Sequence, residues 1–128
     1  MIAEVLDKFV RERADDRCEY CRLPQSKSRL RHQIEHVIAR QHGGASTADN
    51  LALACVRCNL KKGPNIAGLD PSTGNLTPLF NPRSHVWEDH FSMIEKYFVG
   101  LTPIGTVTIL VLGMNERRPA AVRDELEE

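Results

Sequence analysis

Apolar residues recur at helical spacing at the start of the chain. Over residues 2–13 one face of a helix would carry apolar side chains and the other face charged ones. This period of 3.6 residues predicts an amphipathic helix that packs on the segment after it. The apolar positions are Ile2, Val5, Leu6, Phe9 and Val10.

Two short apolar segments farther along predict strands. HQIEHV (32–37) suits a strand because alternate side chains would face opposite sides, and LALAC (51–55) predicts a second one. The sequence RQHGGASTADN between them predicts a loop in which glycines permit positive φ. VRCNLKKGP then predicts a short helix, because Gly63 and Pro64 stand in the order expected at a helix end.

The second half of the chain is less regular. Residues 64–84 are rich in Pro, Gly, Asn and Ser, and recurring hydrophobic residues there predict an ordered wrapping segment: Ile66, Leu69, Leu76, Leu79 and Phe80. The next stretch supplies further core candidates: Trp87, Phe91, Ile94 and Phe98. TPIGTVTILVLGMN is ambiguous, because Thr102-Pro103 is a helix start signal whereas Val, Thr and Ile favour strands. We favour a helix there, followed by an exposed helix or tail in ERRPAAVRDELEE.

The length of 128 residues suits one domain with one modest core. Apolar residues make up 41% but aromatic residues only 5%, so the core should be mainly aliphatic. We divide this one domain into an N-terminal helix, a central core, a wrapping segment and a C-terminal helix or tail. The respective ranges are 1–17, 18–63, 64–98 and 99–128.

Two features bear on location. No apolar run, including ILVL at 109–112, approaches the roughly 20 residues of a membrane span. The opening MIAEVLDKFV contains acids and lacks the basic start and long apolar stretch of a signal peptide. We therefore expect a cytoplasmic protein that does not interact with a membrane.

The four cysteines form two pairs of the Cys-x-x-Cys type. Cys18 and Cys21 make the first pair, and Cys55 and Cys58 make the second. Cytosolic thiols stay reduced, and this spacing lets two pairs complete a tetrahedral thiolate site for structural zinc. Two disulfides or a redox-active pair are the alternatives. A site of four sulfurs has no open position, so this zinc should not be the catalyst.

The formal net charge of zero hides a division along the chain. Between residues 22 and 63 eight basic residues outnumber two acids, which gives +6 there and −6 elsewhere. Positive charge concentrated in the cysteine-bracketed segment favours contact with phosphate, although a solvated surface is the alternative. The candidate phosphate contacts are Arg40, Arg57, Lys61 and Lys62.

Four motifs occur together in this order: the first cysteine pair, IEHVIARQHGG, Asn50-Leu51 and CVRCNLKKG. In combination they resemble the HNH endonuclease family, and the resemblance extends over about residues 9–98. It implies an α+β fold built on a zinc-stabilised ββα-metal finger with flanking helices. It also implies that His36 is the general base and that Glu35 and Asn59 are ligands of a catalytic divalent ion. Asn50 matches the asparagine that orients the loop after the histidine.

The chemistry of these residue types agrees with such a site. Phosphodiester hydrolysis requires an activated water, and a neutral imidazole can take its proton near pH 7. Magnesium or manganese accepts carboxylate and amide oxygens and can stabilise the phosphate and the leaving oxygen. Adjacent residues 35 and 36 point to opposite sides of a regular strand, so the chain must leave strand geometry there.

The sequence predicts a DNA endonuclease, with RNA the less favoured substrate. A zinc-stabilised nucleic-acid-binding module without catalysis is the main alternative, and a zinc-clamped protein-interaction domain is a third. His32 and His42 are weaker candidates for DNA contact, and His90 is expected to be a satisfied histidine beside Trp87. Target sequence, biological role, oligomeric state and the choice between nicking and double-strand cleavage do not follow from the sequence.

Overall fold

The protein is described by a computed structural model, which covers residues 2–116. Helices and small antiparallel sheets alternate along the chain, which confirms the predicted α+β class. The elements are α1 (Glu4–Arg13), β1 (Gln33–His36), β2 (Leu51–Ala54), α2 (Val56–Lys62), β3 (Ala67–Leu69), β4 (Leu76–Pro78), α3 (Trp87–His90), β5 (Phe91–Ile94), β6 (Tyr97–Gly100) and α4 (Pro103–Leu112).

A ββα unit lies at the centre of the chain. Strand β1 pairs antiparallel with β2, in a register that places Glu35 opposite Ala52 and His36 opposite Leu51. Helix α2 follows β2 directly and ends at Gly63, whose φ of 51° is the left-handed geometry that glycine adopts easily. Both strands and the helix agree with the predicted positions. The long loop between the strands contains only two short 3₁₀ turns.

Helix α1 packs its buried edge against β2. Val10 joins Leu51 and Leu53 in a small apolar cluster, with Leu6 partly buried against it. The predicted apolar stripe is wider than this contact, and Val5 is 82% exposed. The exposed part of the stripe also contains Phe9, whose ring faces the Arg13 guanidinium at 5.2 Å. A narrow two-stranded sheet covers only part of the apolar face of the helix.

Helix α4 is the centre of the larger core, and its presence agrees with the helix favoured for residues 102–115. Thr102 caps it by accepting a hydrogen bond from the Gly105 N–H (3.1 Å), and Gly113 ends it at a φ of 60°. The helix contacts α2, α3, β3, β4 and β6. The buried set around it combines aliphatic, aromatic and cysteine side chains: Cys18, Tyr20, Cys21, Leu23, Ala54, Cys55, Cys58, Leu79, Phe80, Phe91, Phe98, Val107, Ile109, Leu112 and Met114.

Several expected core residues lie outside this core. Ile94 is 61% exposed at the end of β5, so its predicted burial is wrong. In the wrapping segment Leu79 and Phe80 are buried, but the other three hydrophobic candidates are exposed: Ile66, Leu69 and Leu76. The reason is the hairpin of β3 and β4, in which alternation turns Thr77 inward and its neighbour Leu76 outward. The tail predicted after residue 116 lies outside the described residues.

Among the described residues, no helix is both long and apolar enough to span a membrane.

Candidate functional site

The four cysteine sulfurs converge in the core. They come from the turn after α1 and from the start of α2, and all four lie within 4.8 Å of one another. The Cys21 and Cys55 sulfurs are 3.7 Å apart. Tetrahedral zinc with bonds of about 2.3 Å separates its sulfur ligands by about 3.8 Å, so the cluster fits a zinc ion.

Backbone amides support both cysteine pairs. The Cys21 N–H donates to the Cys18 sulfur at 3.5 Å, and the Cys58 N–H donates to the Cys55 sulfur at 3.4 Å. All four residues are buried, and burial raises the pKa of the Cys18 thiol. Hydrogen bonds from the other three thiols lower the pKa of Cys55. A bound cation is the natural counter-charge for several buried thiolates, and this agrees with the expectation of structural zinc.

Glu35 is buried at the end of β1. Only 5% of its surface is exposed, and its carboxylate accepts a hydrogen bond from the Tyr20 hydroxyl on Oε1. The Lys62 ammonium lies 3.1 Å from Oε2. Burial raises the pKa of Glu35, while Lys62 and the Tyr20 hydrogen bond act in the opposite direction. The carboxylate that sequence analysis assigned to a metal ion therefore also belongs to a buried protein network.

His36 is the last residue of β1 and is half-buried. Its Nε2 is hydrogen-bonded to the Ser46 hydroxyl at 2.8 Å, across the loop that joins the two strands. Burial lowers the pKa of His36, and the positive charge of Arg40 lowers it further. Both causes favour the neutral imidazole, which is the form able to accept a proton.

The loop between β1 and β2 (residues 37–50) is called the histidine loop here. Asn50 holds this loop through three hydrogen bonds to its backbone. Its Oδ1 accepts from the Ile38 N–H (3.0 Å), and its Nδ2 donates to the carbonyls of Ile38 (3.0 Å) and Ala45 (2.9 Å). Gly44 lies at the same point, where a Cβ atom would fall 1.7 Å from the Ile38 carbonyl oxygen. This close approach shows why a residue without a side chain occupies position 44.

Asn59 reaches the site from α2. Its amide nitrogen donates to the Gln33 side chain, so the amide oxygen retains its capacity to accept or to bind an ion. Glu35, His36 and Asn59 line one open cleft of about 260 Å³. Its other lining residues are Ile34, Ala39, Arg40, Gly63 and Pro64. A carboxylate and an amide oxygen beside one cleft are donors that suit a hard divalent ion.

The four candidate phosphate contacts differ in their exposure to solvent and in their partners. Arg40 is exposed and lines the cleft. Arg57 and Lys61 both lie near the Glu116 carboxylate, at 3.7 and 3.3 Å. Lys62 departs from the expectation of a phosphate contact, because only 1% of its surface is exposed. Its ammonium points inward to Glu35 and to backbone carbonyls rather than to solvent.

Two buried interactions near the site were not predicted. Tyr20 lies between the first cysteine pair and Glu35, and Glu19 pairs with Arg83 from the wrapping segment. The other Glu19 oxygen accepts the Leu53 N–H at 2.8 Å, which ties the first cysteine pair to β2. The only signal in the sequence was that Glu19 and Tyr20 stand between the two cysteines of the first pair. Their partners depend on the tertiary fold.

The remaining histidines lie away from the cleft lining. His32 is buried, with Nε2 hydrogen-bonded to the Leu23 carbonyl at 2.8 Å. His90 Nδ1 is 2.6 Å from the Thr102 hydroxyl, so it has the hydrogen-bond partner expected for a satisfied histidine. His42 is exposed in the loop.

Comparison with protein families identifies the central segment. The model of the HNH endonuclease family matches residues 18–65, which include both cysteine pairs, β1, the histidine loop, β2 and α2. Comparisons with curated proteins and with solved structures gave no significant match. The family match agrees with the resemblance seen in the sequence, and it covers the residues that line the cleft between β1 and α2.

Proposed function

Because residues 18–65 carry an HNH endonuclease domain, we propose that this protein is a metal-dependent DNA endonuclease that hydrolyses phosphodiester bonds. One observation carries the proposal. Glu35, His36, Arg40 and Asn59, which lie apart on a strand, a loop and a helix, line the same open cleft within the matched segment. This set combines a base, a cation and two oxygen donors, which are the groups that phosphodiester hydrolysis needs.

His36 is the proposed general base. Burial and Arg40 lower the pKa of the imidazole, so the ring is neutral near pH 7 and can take a proton from water. The hydrogen bond between His36 Nε2 and the Ser46 hydroxyl fixes the ring, and Asn50 holds the loop that carries Ser46. Orientation of this kind matters because a base must lie within hydrogen-bond reach of the water it activates.

Glu35 and Asn59 are the proposed ligands of a magnesium or manganese ion. Such an ion supplies charge stabilisation for the phosphate and the departing 3′ oxygen. Magnesium commonly takes only one or two protein groups and keeps several waters, so two donors are sufficient. The zinc cluster is proposed to be structural, because four cysteines leave no open coordination position.

Arg40, Arg57 and Lys61 are the proposed contacts to the DNA backbone. Arg40 lines the cleft itself, and the other two lie on α2, which also carries Asn59. The pairing of Arg57 and Lys61 with Glu116 is partly exposed and therefore weak, so phosphate can compete for these cations. Binding should accordingly weaken as salt concentration rises.

Cleavage of supercoiled plasmid tests the proposal directly. The zinc-loaded protein should convert supercoiled plasmid to the nicked form with magnesium or manganese and should be inactive with EDTA in brief incubations. Nicks are expected because one centre cuts one strand. His36→Ala should abolish nicking while zinc content, melting temperature and DNA affinity stay close to those of the parent. His42→Ala, a change of another loop histidine, is the matched control. Parental nicking by His36→Ala would refute the assigned mechanism.

A non-catalytic nucleic-acid-binding module is the second candidate. The observation that favours it is that Tyr20 and Lys62 contact the two Glu35 oxygens. In such a module the carboxylate would stabilise the protein interior rather than bind an ion. Such a module would bind DNA in a salt-sensitive manner without any metal-dependent nicking. The plasmid assay therefore separates the two candidates.

A further inference from the structure

Adjacent lysines at the end of α2 have opposite environments. Lys61 is exposed and lies 3.3 Å from Glu116, whereas Lys62 is almost completely buried. Successive residues of a helix are about 100° apart, so one side chain can face solvent while the next faces the ββα interior. A charge is buried at such a position only where it is paired and hydrogen-bonded.

The Lys62 ammonium has three acceptors around it. They are Glu35 Oε2 at 3.1 Å, the Val37 carbonyl oxygen at 2.8 Å and the His36 carbonyl oxygen at 3.5 Å. An ammonium carries three N–H donors, so these partners can use all of its capacity. Lys62 thereby joins the Glu35 side chain to the backbone at the point where the chain leaves β1.

Tyr20 is the second side chain that contacts the Glu35 carboxylate. Its side chain is fully buried, and its hydroxyl donates to Oε1 while Lys62 contacts Oε2. An ionised carboxylate offers about four acceptor positions, so Tyr20 and Lys62 do not use all of them. Tyr20 also lies between the cysteines of the first pair, and this connects the carboxylate to the zinc cluster.

We propose that Tyr20 and Lys62 are positioning residues for the catalytic metal ion. They hold Glu35 and the adjoining His36 backbone in a single arrangement. The inference rests on the proposed function, because it takes Glu35 as a metal ligand. Residues 35 and 36 point to opposite sides of a regular strand, and both nevertheless line the cleft. Lys62 contacts both the Glu35 side chain and the His36 carbonyl oxygen.

Positioning and phosphate contact make different predictions for Lys62. A lysine that neutralises phosphate changes the salt dependence of DNA binding by about one unit of slope when it is replaced. A residue that orients a metal ligand changes metal affinity by about 10- to 100-fold and leaves the salt slope intact. Lys61→Gln provides a matched control, because it makes the same chemical change one residue away on the exposed face.

Manganese binding to the zinc-loaded protein without DNA is the first measurement. Electron paramagnetic resonance of free Mn²⁺ reports the dissociation constant independently of cleavage. Tyr20→Phe and Lys62→Gln should each raise this constant about 10-fold or more. Lys61→Gln should leave it within about twofold of the parental value, because its side chain does not touch Glu35. Melting temperature and zinc content measured on the same samples separate loss of positioning from loss of fold.

Salt-dependent DNA binding in EDTA is the second measurement. Lys62→Gln should retain the parental slope of log Kd against log salt. Three results would overturn the inference. The first is parental Mn²⁺ affinity in both Tyr20→Phe and Lys62→Gln, and the second is a parent protein that binds no Mn²⁺ at this site. The third is a slope of log Kd against log salt that is lower by about one in Lys62→Gln. If Lys62→Gln fails to fold, Tyr20→Phe decides the matter, because it removes only one oxygen atom. A parent that binds Mn²⁺ but does not nick plasmid contradicts the proposed function and not the positioning.

Discussion

Gly44 lies in a tightly packed part of the histidine loop. A methyl group there would meet the Ile38 carbonyl oxygen at 1.7 Å and the Asn50 amide nitrogen at 2.8 Å. Since the first contact is backbone, Gly44→Ala must displace the loop and weaken the hydrogen bonds of Asn50. We expect the free energy of unfolding to fall by about 1–3 kcal/mol in urea titrations of the zinc-loaded protein. Nicking should fall with it.

Gly43 provides the control for this prediction. It has a φ of 90°, and no atom lies within 4 Å of the position that a Cβ would occupy, so a side chain meets no neighbour there. Asparagine tolerates left-handed backbone better than most residues, and Gly43→Asn should therefore cost less than Gly44→Ala. Equal losses in the two variants would contradict the contact with Ile38 as the reason for glycine at position 44.

We expect His85 to make the stability of the protein depend on pH. Burial lowers its pKa, with a smaller contribution from His90, and its Nδ1 accepts the Asn81 N–H at 3.0 Å. The unfolded chain then binds the proton more readily, so stability should fall as pH decreases from about 6.5 toward the lower folded pKa. His85→Gln should reduce the difference in free energy of unfolding between pH 7.5 and 5.5. An unchanged difference would show that other groups cause it.

Single residues show where sequence analysis stops. The cysteine pairs could be assigned because their spacing is itself a geometric requirement of a zinc site. Lys61 and Lys62 could not be told apart, because the motif CNLKKG contains no information on which face of the helix meets the strand. Tyr20 was equally hidden, since its partner Glu35 is 15 residues away in sequence.

Elements were predictable where their signals are local. The two strands and α2 follow from short apolar runs and a terminal glycine, and α4 follows from the Thr102-Pro103 start. The hairpins formed by β3–β4 and β5–β6 were not predicted, because their strands have only three or four residues and no clear alternation. The β5–β6 turn also lacks the Asn-Gly or Asp-Gly pair that normally marks a two-residue turn.

The β5–β6 turn has a residue that is poorly suited to its backbone. Ile94 pairs with Tyr97, which leaves Glu95 and Lys96 as the loop, and Glu95 has a φ of 57°. Left-handed geometry costs an ordinary residue about 1–2 kcal/mol, and asparagine avoids part of that cost. Glu95→Asn should raise the free energy of unfolding by about 0.5–1 kcal/mol, and Glu95→Val should lower it. Urea titration of both variants measures the difference, and the reverse order would contradict the assigned turn.

At the scale of the whole molecule, the excess of basic residues and the four cysteines occur in the same part of the chain. Residues 22–63 carry the excess of +6, and the cysteine pairs bracket most of that segment. The cleft lies between β1 and α2, and two of the four clustered cysteines stand at the start of α2. Under the proposed function, an excess of basic residues in this segment lets a protein with no net charge attract phosphate.

The zinc cluster should therefore determine the stability of the whole described fold. The four cysteines belong to the same core as Phe80, Phe98 and Leu112, so loss of the ion leaves polar thiols and a gap among buried side chains. Structural zinc in zinc-finger peptides contributes about 10–16 kcal/mol, which is comparable to the roughly 5–15 kcal/mol that stabilises a typical domain.

Cys55→Ser tests this dependence. The variant should lose stoichiometric zinc in elemental analysis and its cooperative melting transition in calorimetry, because three thiolates hold the ion poorly. Ser26→Ala, an exposed change after the first cysteine pair, should retain both. Prolonged chelation of the parent should reproduce the Cys55→Ser result, and added zinc should reverse it. Full zinc content together with a parental melting temperature in Cys55→Ser would mean that the core is stable without the four-sulfur site.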